Sequence, residues 1–253
     1  MNALLFRLGF LLTPLIVGNC CCWGADGDPA AEHRAADTSF LLKPAFVFDV
    51  AQGQARPGWS VLVTGHQIAA VGPAAQVPAA AHAEIIELPE MTLLPGLMDI
   101  HSHIFLHPYN EASWDKQVLN EPLAYRSVEA VLHVRSTLLA GFTLLRDLGT
   151  EGAGAADVSI KRAIEEGLIP GPRMLIVTKA IVATASYGPG PGGYAENVVL
   201  PKGAQEASGI PEILRAVREQ CALGADWIKV YADYARGRGG KQEPNWNGWC
   251  EEG

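Results

Sequence analysis

At 253 residues, 49% hydrophobic and 18% charged, the chain has ordinary globular composition and ample material for a core. Its formal net charge is −8 and its sequence pI about 5.4, with no basic stripe, so nucleic acid is excluded as an expected partner. Outside the N-terminal segment only Cys221 and Cys250 remain, too few for a disulfide framework or a cysteine metal site.

Arg7 ends a short positive region, and Leu8 to Val17 is an apolar stretch too short to span a bilayer as a helix. Cys22-Trp23-Gly24 then sets small residues at the −3 and −1 positions of a cleavage site. Residues 1–24 therefore read as a secretory signal, the alternative being a retained N-terminal anchor. Acylation at Cys20 is disfavoured by Asn19 before it. The expected location is periplasmic or extracellular, with no stable membrane insertion once the signal is removed. Residues 25–38 are polar and Ala-rich and read as a disordered leader.

Residues 39–92 are strand-like. Ala45 to Val50, Trp59 to Thr64 and Glu84 to Leu88 are β-rich, His66 to Gly72 reads as a hairpin return, and Gly58, Gly65, Gly72 and Pro73 mark the breaks. From Leu93 the rhythm becomes strand, loop, helix. Ser127 to Ala140 is expected as a helix with Val128, Val131, Leu132, Leu138 and Leu139 on its apolar face, stopped by Gly141. Thr143 to Leu148 is then a strand. Asp157 is placed to cap a helix carrying Ile160, Ala163 and Ile164. Arg173 to Ala180 is a third strand. Pro211 opens a helix bearing Ile213, Leu214, Val217 and Cys221, with Cys221 expected as a buried small hydrophobe and Gly224 as the stop. Asp226 to Tyr231 is a fourth strand. Strands alternating with helices imply a parallel sheet with right-handed crossovers.

The most informative run is Leu93-Leu-Pro-Gly-Leu-Met-Asp-Ile-His-Ser-His-Ile-Phe105. Side chains alternate along a strand, so Asp99, His101 and His103 share one face, roughly 6.6 Å apart per two residues, near enough for two imidazoles to converge on one ion. Met98 and Ile100 form the other face and are expected to pack against helices. An apolar strand does not bury three ionisable groups unless something satisfies them. A metal would do so, with Asp99 accepting the other ring N–H of a ligand. Such a strand suggests the lumen of an α/β barrel. The competing reading is a pair of core histidines with no metal role.

Pro95-Gly-Leu-Met-Asp-Ile-His-Ser-His103 strongly resembles the first barrel strand of the metal-dependent amidohydrolase superfamily, and more narrowly its imidazolonepropionase-like and Xaa-Pro dipeptidase-like branch. The resemblance runs from about Phe40 to about Tyr234, and includes Gly141 to Gly149 and Gly224 to Tyr231. It implies an α/β fold: the N-terminal part of a (β/α)8 barrel, with residues 39–92 as the N-terminal half of a small β-sandwich and residues 93–234 as the partial barrel. Four strands are found where a closed barrel needs eight. Residues 235–253 show neither period and read as a frame-shifted tail on a truncated chain, the alternative being an ordinary disordered tail.

Trp227, Lys229 and Tyr231 share one face of the fourth strand. A lysine within an apolar strand costs free energy unless paired or neutralised, and desolvation beside a dication would lower its pKa from about 10.4. The neutral amine then reacts with carbon dioxide to form a carbamate. The resemblance implies that role for Lys229, bridging two divalent ions held with His101 and His103. The alternative is a lysine snorkelling from the sheet end. Tyr231 reads equally as a donor to a substrate carbonyl or carboxylate and as a core tyrosine. Arg146 and Asp147 read as structural, and His107 as lining the pocket. His33, His66, His82 and His133 read as surface or helix-face residues. The Gly/Pro-rich loop 186–203 reads as a substrate lid or a plain connection.

The function expected by resemblance is metal-dependent hydrolysis of C–N bonds in small amides or dipeptides. One or two zinc ions would serve, with manganese, cobalt or iron as alternatives. The full-length form is expected to be a homo-oligomer. Two further histidines and an aspartate complete the family site, and none is found here, so residues 25–253 alone are expected to be inactive with added zinc. The competing function is a non-catalytic exported metal-binding or interaction module.

Overall fold

The computed structural model describes residues 38–78, 82–184, 187, 195 and 197–231. The expected signal, nearly all of the leader, most of the 186–196 loop and the tail lie outside them. No helix among the described residues is long and apolar enough to cross a membrane.

Residues 38–93 form one five-stranded sheet: β1 (Ser39–Asp49), β2 (Gln54–Pro57), β3 (Trp59–Thr64), β4 (Gln67–Pro73) and β5 (Glu84–Leu93). The order is β2-β1-β3-β4, antiparallel throughout, and β5 pairs parallel with β1 along a register shifted between Pro44 and Phe46. Pro44 has no N–H for a regular ladder, and the irregularity falls beside it. Val47, Val61 and Leu62 are buried, whereas Ile68 and Val71 of β4 face outward.

The rest is β/α. A parallel sheet of order β6-β7-β8 contains β6 (Leu97–Ser102), β7 (Phe142–Asp147) and β8 (Arg173–Ile176). Three helices accompany it: α1 (Leu123–Leu139), α2 (Ala156–Glu165) and α3 (Gly209–Leu223). Gly96 launches β6, and a Cβ there would collide with the Thr143 side chain, so β6 and β7 could not approach with any other residue. The core joins Ile104, Phe105, Ala130, Val134, Leu145, Ile160, Met174 and Ile176.

Several local expectations are corrected. Helix α1 starts at Leu123, one turn before Ser127, and it turns Ala130 and Val134 inward while Val128, Leu132 and Leu139 stay exposed. The small side chains let α1 approach β7 closely, so Ala130 and Val134 meet Leu145, with Val131 of the expected stripe packed against the same cluster. Met98 and Ile100, expected to pack against helices, are 65% and 61% exposed. Asp157 is inside α2, not at its cap. Its Oδ1 accepts the Val158 N–H at 3.0 Å and its Oδ2 the Thr178 N–H at 2.8 Å. The third strand is split. β8 stops at Ile176 and a two-residue β9 (Ile181–Val182) follows, with Thr178 between them at φ 61°, off strand geometry. β9 pairs with β10 (Gln205–Glu206). Cys221 is exposed, and Gln220 takes the buried position, its amide donating to Gln205 Oε1 at 3.0 Å. The fourth strand is reduced to a bridge between Ile181 and Val230.

Candidate metal and carboxylate centre

The parallel strands deliver their side chains at one end. His101 lies on β6 and His103 just beyond it. The β6–β7 ladder is irregular between Asp99 and Ser102. At that break Asp99 Oδ1 accepts the His101 backbone N–H at 3.0 Å, and Arg146 Nε donates to the Ile100 carbonyl at 2.8 Å. Asp99 thus fixes the backbone that carries an imidazole rather than a ring nitrogen. The two rings stand 5.4 Å apart, inclined at 60°. His103 Nδ1 is 2.8 Å from the Gly149 carbonyl. A carbonyl only accepts, so Nδ1 carries a proton, and it is Nε2 that offers the lone pair in the neutral ring.

The His101 pKa is lowered, first by desolvation, then by the positive charges of Lys229 and His103. Lys229 is therefore near enough to be felt at His101, and its Nζ lies 5.0 Å from the Tyr231 ring centre. The backbone of this segment is held by Ile181, whose N–H donates to the Lys229 carbonyl at 2.8 Å and whose carbonyl accepts from Tyr231 at 3.0 Å. Alternation holds along it. Ile228 packs with Ile181, Ala207 and Ala216, whereas Tyr231 packs with Ala180, Val182 and Ala204. Trp227 is covered by the Arg146 guanidinium at 5.3 Å, a cation–π contact between the second and fourth strands.

Sequence reasoning missed Glu151. It follows β7 in a Thr-Glu-Gly turn that reads as surface, yet its side chain is 3% exposed. Its Oε2 accepts from Trp114 Nε1 at 2.9 Å and from the Tyr187 hydroxyl at 2.6 Å. Its Oε1 accepts from the Tyr231 hydroxyl at 3.2 Å and lies 4.0 Å from His103 Nδ1. The two tyrosine rings stack at 5.3 Å. Gly203 closes the far side, where a Cβ would stand 2.8 Å from Trp114 and nearer still to Tyr187. Glu151 holds this position at φ 49°, a backbone conformation costly for a residue with a Cβ, which the surrounding donors over-determine. The positive φ has no signature in sequence beyond the flanking glycine. Arg126, buried on α1, anchors the turn by donating to the carbonyls of Phe105, Thr150 and Glu151.

Asp147 is fully buried, and desolvation pushes its carboxyl well above the ordinary range, helped by the charge of Asp157 and opposed by the Ile104 and Gly149 backbone N–H groups. Burial likewise raises Asp157 to about 6. A second cluster lies outward along the chain. His107, Glu121 and Glu129 bring one ligand atom each within 4.8 Å of one another. His133, expected at the helix surface, is half-buried, with Nδ1 2.9 Å from the Ile104 carbonyl.

A family model described as the Amidohydrolase family matches residues 92–247. The chain belongs to the Amidohydrolase family. The match begins where β5 ends and takes in every strand and helix of the β/α region. Solved amidohydrolase-like structures superpose on this chain. An amidohydrolase matches with 28% identity and a TM-score of 0.63, covering 78% of this chain and 48% of its own. A Xaa-Pro dipeptidase with bound methionine in the active site matches with 25% identity and a TM-score of 0.66, covering 79% and 48%. A prolidase complexed with N-methylphosphonate-L-proline matches with 25% identity and a TM-score of 0.63, covering 82% and 49%. The chain thus spans about half the length of the solved structures it matches. No curated protein sequence matches it. The α/β region of this amidohydrolase-family chain is accordingly part of a (β/α)8 barrel, its parallel strands those of the barrel wall.

Proposed function

We propose that this chain carries part of the site of a metal-dependent hydrolase of C–N bonds, acting on small amides or Xaa-Pro dipeptides. The observation that carries the reading is the arrival of His101, His103, Lys229 and Tyr231 at one end of parallel strands, with the His103 ring already oriented by the Gly149 carbonyl. The donor set suits a divalent cation. His103 presents Nε2, His101 stands beside it, and desolvation favours the neutral, ligating form of His101. Lys229 completes the set as a carbamate, formed when its neutral amine adds to carbon dioxide with loss of a proton. A cation held there supplies Lewis-acid activation of water and of the scissile carbonyl.

The remaining work falls to the chain's own residues. Glu151 fixes the phenol of Tyr231 and so sets where that hydroxyl meets substrate. Because the phenol proton is given to Glu151, the hydroxyl donates to substrate only once that bond is displaced. Trp114 and Tyr187 keep water from the same carboxylate. The resemblance of the sequence and the dipeptidase and prolidase neighbours together support the substrate class.

Metal content and carbon-13 NMR test the reading. The chain loaded with divalent metal and labelled bicarbonate is expected to show a carbamate carbon that disappears in Lys229→Ala. It is also expected to lose one or two metal equivalents in His101→Ala/His103→Ala. Equal metal content in parent and double variant would overturn the proposal.

A further inference from the structure

We propose that His107, Glu121 and Glu129 form a separate divalent-cation site of the oxygen-rich, manganese-accepting class, which locks the 103–122 loop onto α1. The three ligand atoms lie within 4.8 Å of one another and come from three segments: the loop after β6, the end of a π-helical turn (Lys116–Asn120), and α1. His107 Nε2 stands 3.4 Å from Glu121 Oε1. That is long for a charge-assisted hydrogen bond, which runs at about 2.7–2.9 Å. It equals the edge of a tetrahedron of ligands each about 2.1 Å from a central ion. The other ring nitrogen, Nδ1, lies 3.4 Å from Glu111 Oε2. A carboxylate on the far nitrogen of a ligating imidazole is the usual way its tautomer is fixed.

Two further observations point to a ligand. Glu121 Oε2 is shielded from solvent and has no hydrogen-bond partner among the described residues, in a side chain only 12% exposed. A buried, unpaired carboxylate oxygen is costly unless a cation takes it up. The loop is also set in advance. Fully buried Gln117 accepts the His107 N–H at 2.8 Å and donates to the His107 and Ala112 carbonyls at 2.9 and 2.8 Å. The charges have a net negative balance: Glu111, Glu121 and Glu129 face the ring, the Tyr125 phenol is pushed up by neighbouring Glu129, and Arg126 is the cation nearby. One imidazole with carboxylates suits Mn²⁺, whereas the thiols of Cys20 to Cys22 favour softer ions, so Mn²⁺ is the selective probe. The same loop carries Trp114 to Glu151, so a cation here steadies one wall of the carboxylate centre.

The experiment is Mn²⁺ titration of the full chain, read by electron paramagnetic resonance and by thermal melting. The His101→Ala/His103→Ala background removes the ligands proposed for the other site. In that background one Mn²⁺ equivalent is expected to bind and to raise the melting temperature. His107→Ala or Glu121→Gln should weaken binding by on the order of a hundredfold, and Glu111→Gln, an exposed residue that cannot endanger the fold, by roughly tenfold. No Mn²⁺ uptake in the background variant would overturn this site while leaving the hydrolase reading standing. So would unchanged affinity in Glu111→Gln and Glu121→Gln. A bound Mn²⁺ lost only with His107 and Glu121 supports it whatever the metal content at His101 and His103.

Discussion

The five-stranded sheet and the β/α region treat polar side chains differently. Among the described residues the sheet buries one polar side chain, Ser60, while the β/α region buries Gln117, Arg126, Asp147, Thr150, Glu151, Asp157, Thr178 and Gln220. The sheet exposes apolar side chains on β4, whereas the β/α core packs Leu145, Ile176 and Val134 with no exposure. Burying polar groups costs free energy unless each finds a partner. The concentration therefore marks where stability is traded for fixed chemistry: Gln117 sets a loop, Arg126 a turn, and Glu151 three aromatic donors. The comparison teaches that the β/α region invests a polar interior in its helix faces and the turns that follow its strands, whereas the sheet buries little besides Val47, Ser60, Val61 and Leu62.

The comparison can be broken by substitution. The largest effect is expected for Leu145→Ala, which empties the centre of the β/α core and should cost about 3–4 kcal/mol in urea unfolding. Glu151→Ala comes next. It strands the donors of Trp114, Tyr187 and Tyr231 and should cost about 3 kcal/mol, and Glu151→Gln, which keeps an acceptor, clearly less. A loss for Glu151→Ala below that of an exposed substitution would sink the claim that this carboxylate organises the site. Asp157 gives a pH signature. Its carboxyl rises from 3.8 to about 6 on folding, so between these values the folded state keeps a proton that the unfolded state has lost. Its contribution is fully present below pH 4 and is lost as pH rises through 6, a swing of about 2–3 kcal/mol at most. Asp157→Asn should flatten that part of the stability profile. The smallest effect is expected in the sheet: Ile68→Ala, at an outward position, should stay within about 0.5 kcal/mol.

The order of the parallel strands is legible in the sequence because it rests on local periodicity and short motifs. What was not legible depended on distant partners. Glu151 acts through residues 36, 37 and 80 positions away, and no local pattern distinguishes it from a surface glutamate in a glycine turn. On α1 hydrophobicity alone favours Val128 and Leu132 beside Val131, whereas close packing buries Ala130 and Val134 and keeps only Val131 of these three against the core. Cys221 and Gln220 exchanged places for a similar reason: an amide with a waiting acceptor on Gln205 is buried at less cost than its polarity suggests. The break at Thr178 was hidden because Val177 and Ala180 on either side are as buried as any strand interior.

Trp114 turns the Glu151 arrangement into an optical readout. Its indole N–H ends on a carboxylate, so the excited ring sits in a fixed negative field at 2.9 Å. Any event that draws Glu151 away, such as rotation of Tyr231, alters that field and shifts the emission colour of this indole. Trp114 is one of six tryptophans, so its signal is the difference between the parent and Trp114→Phe spectra, read without an attached dye.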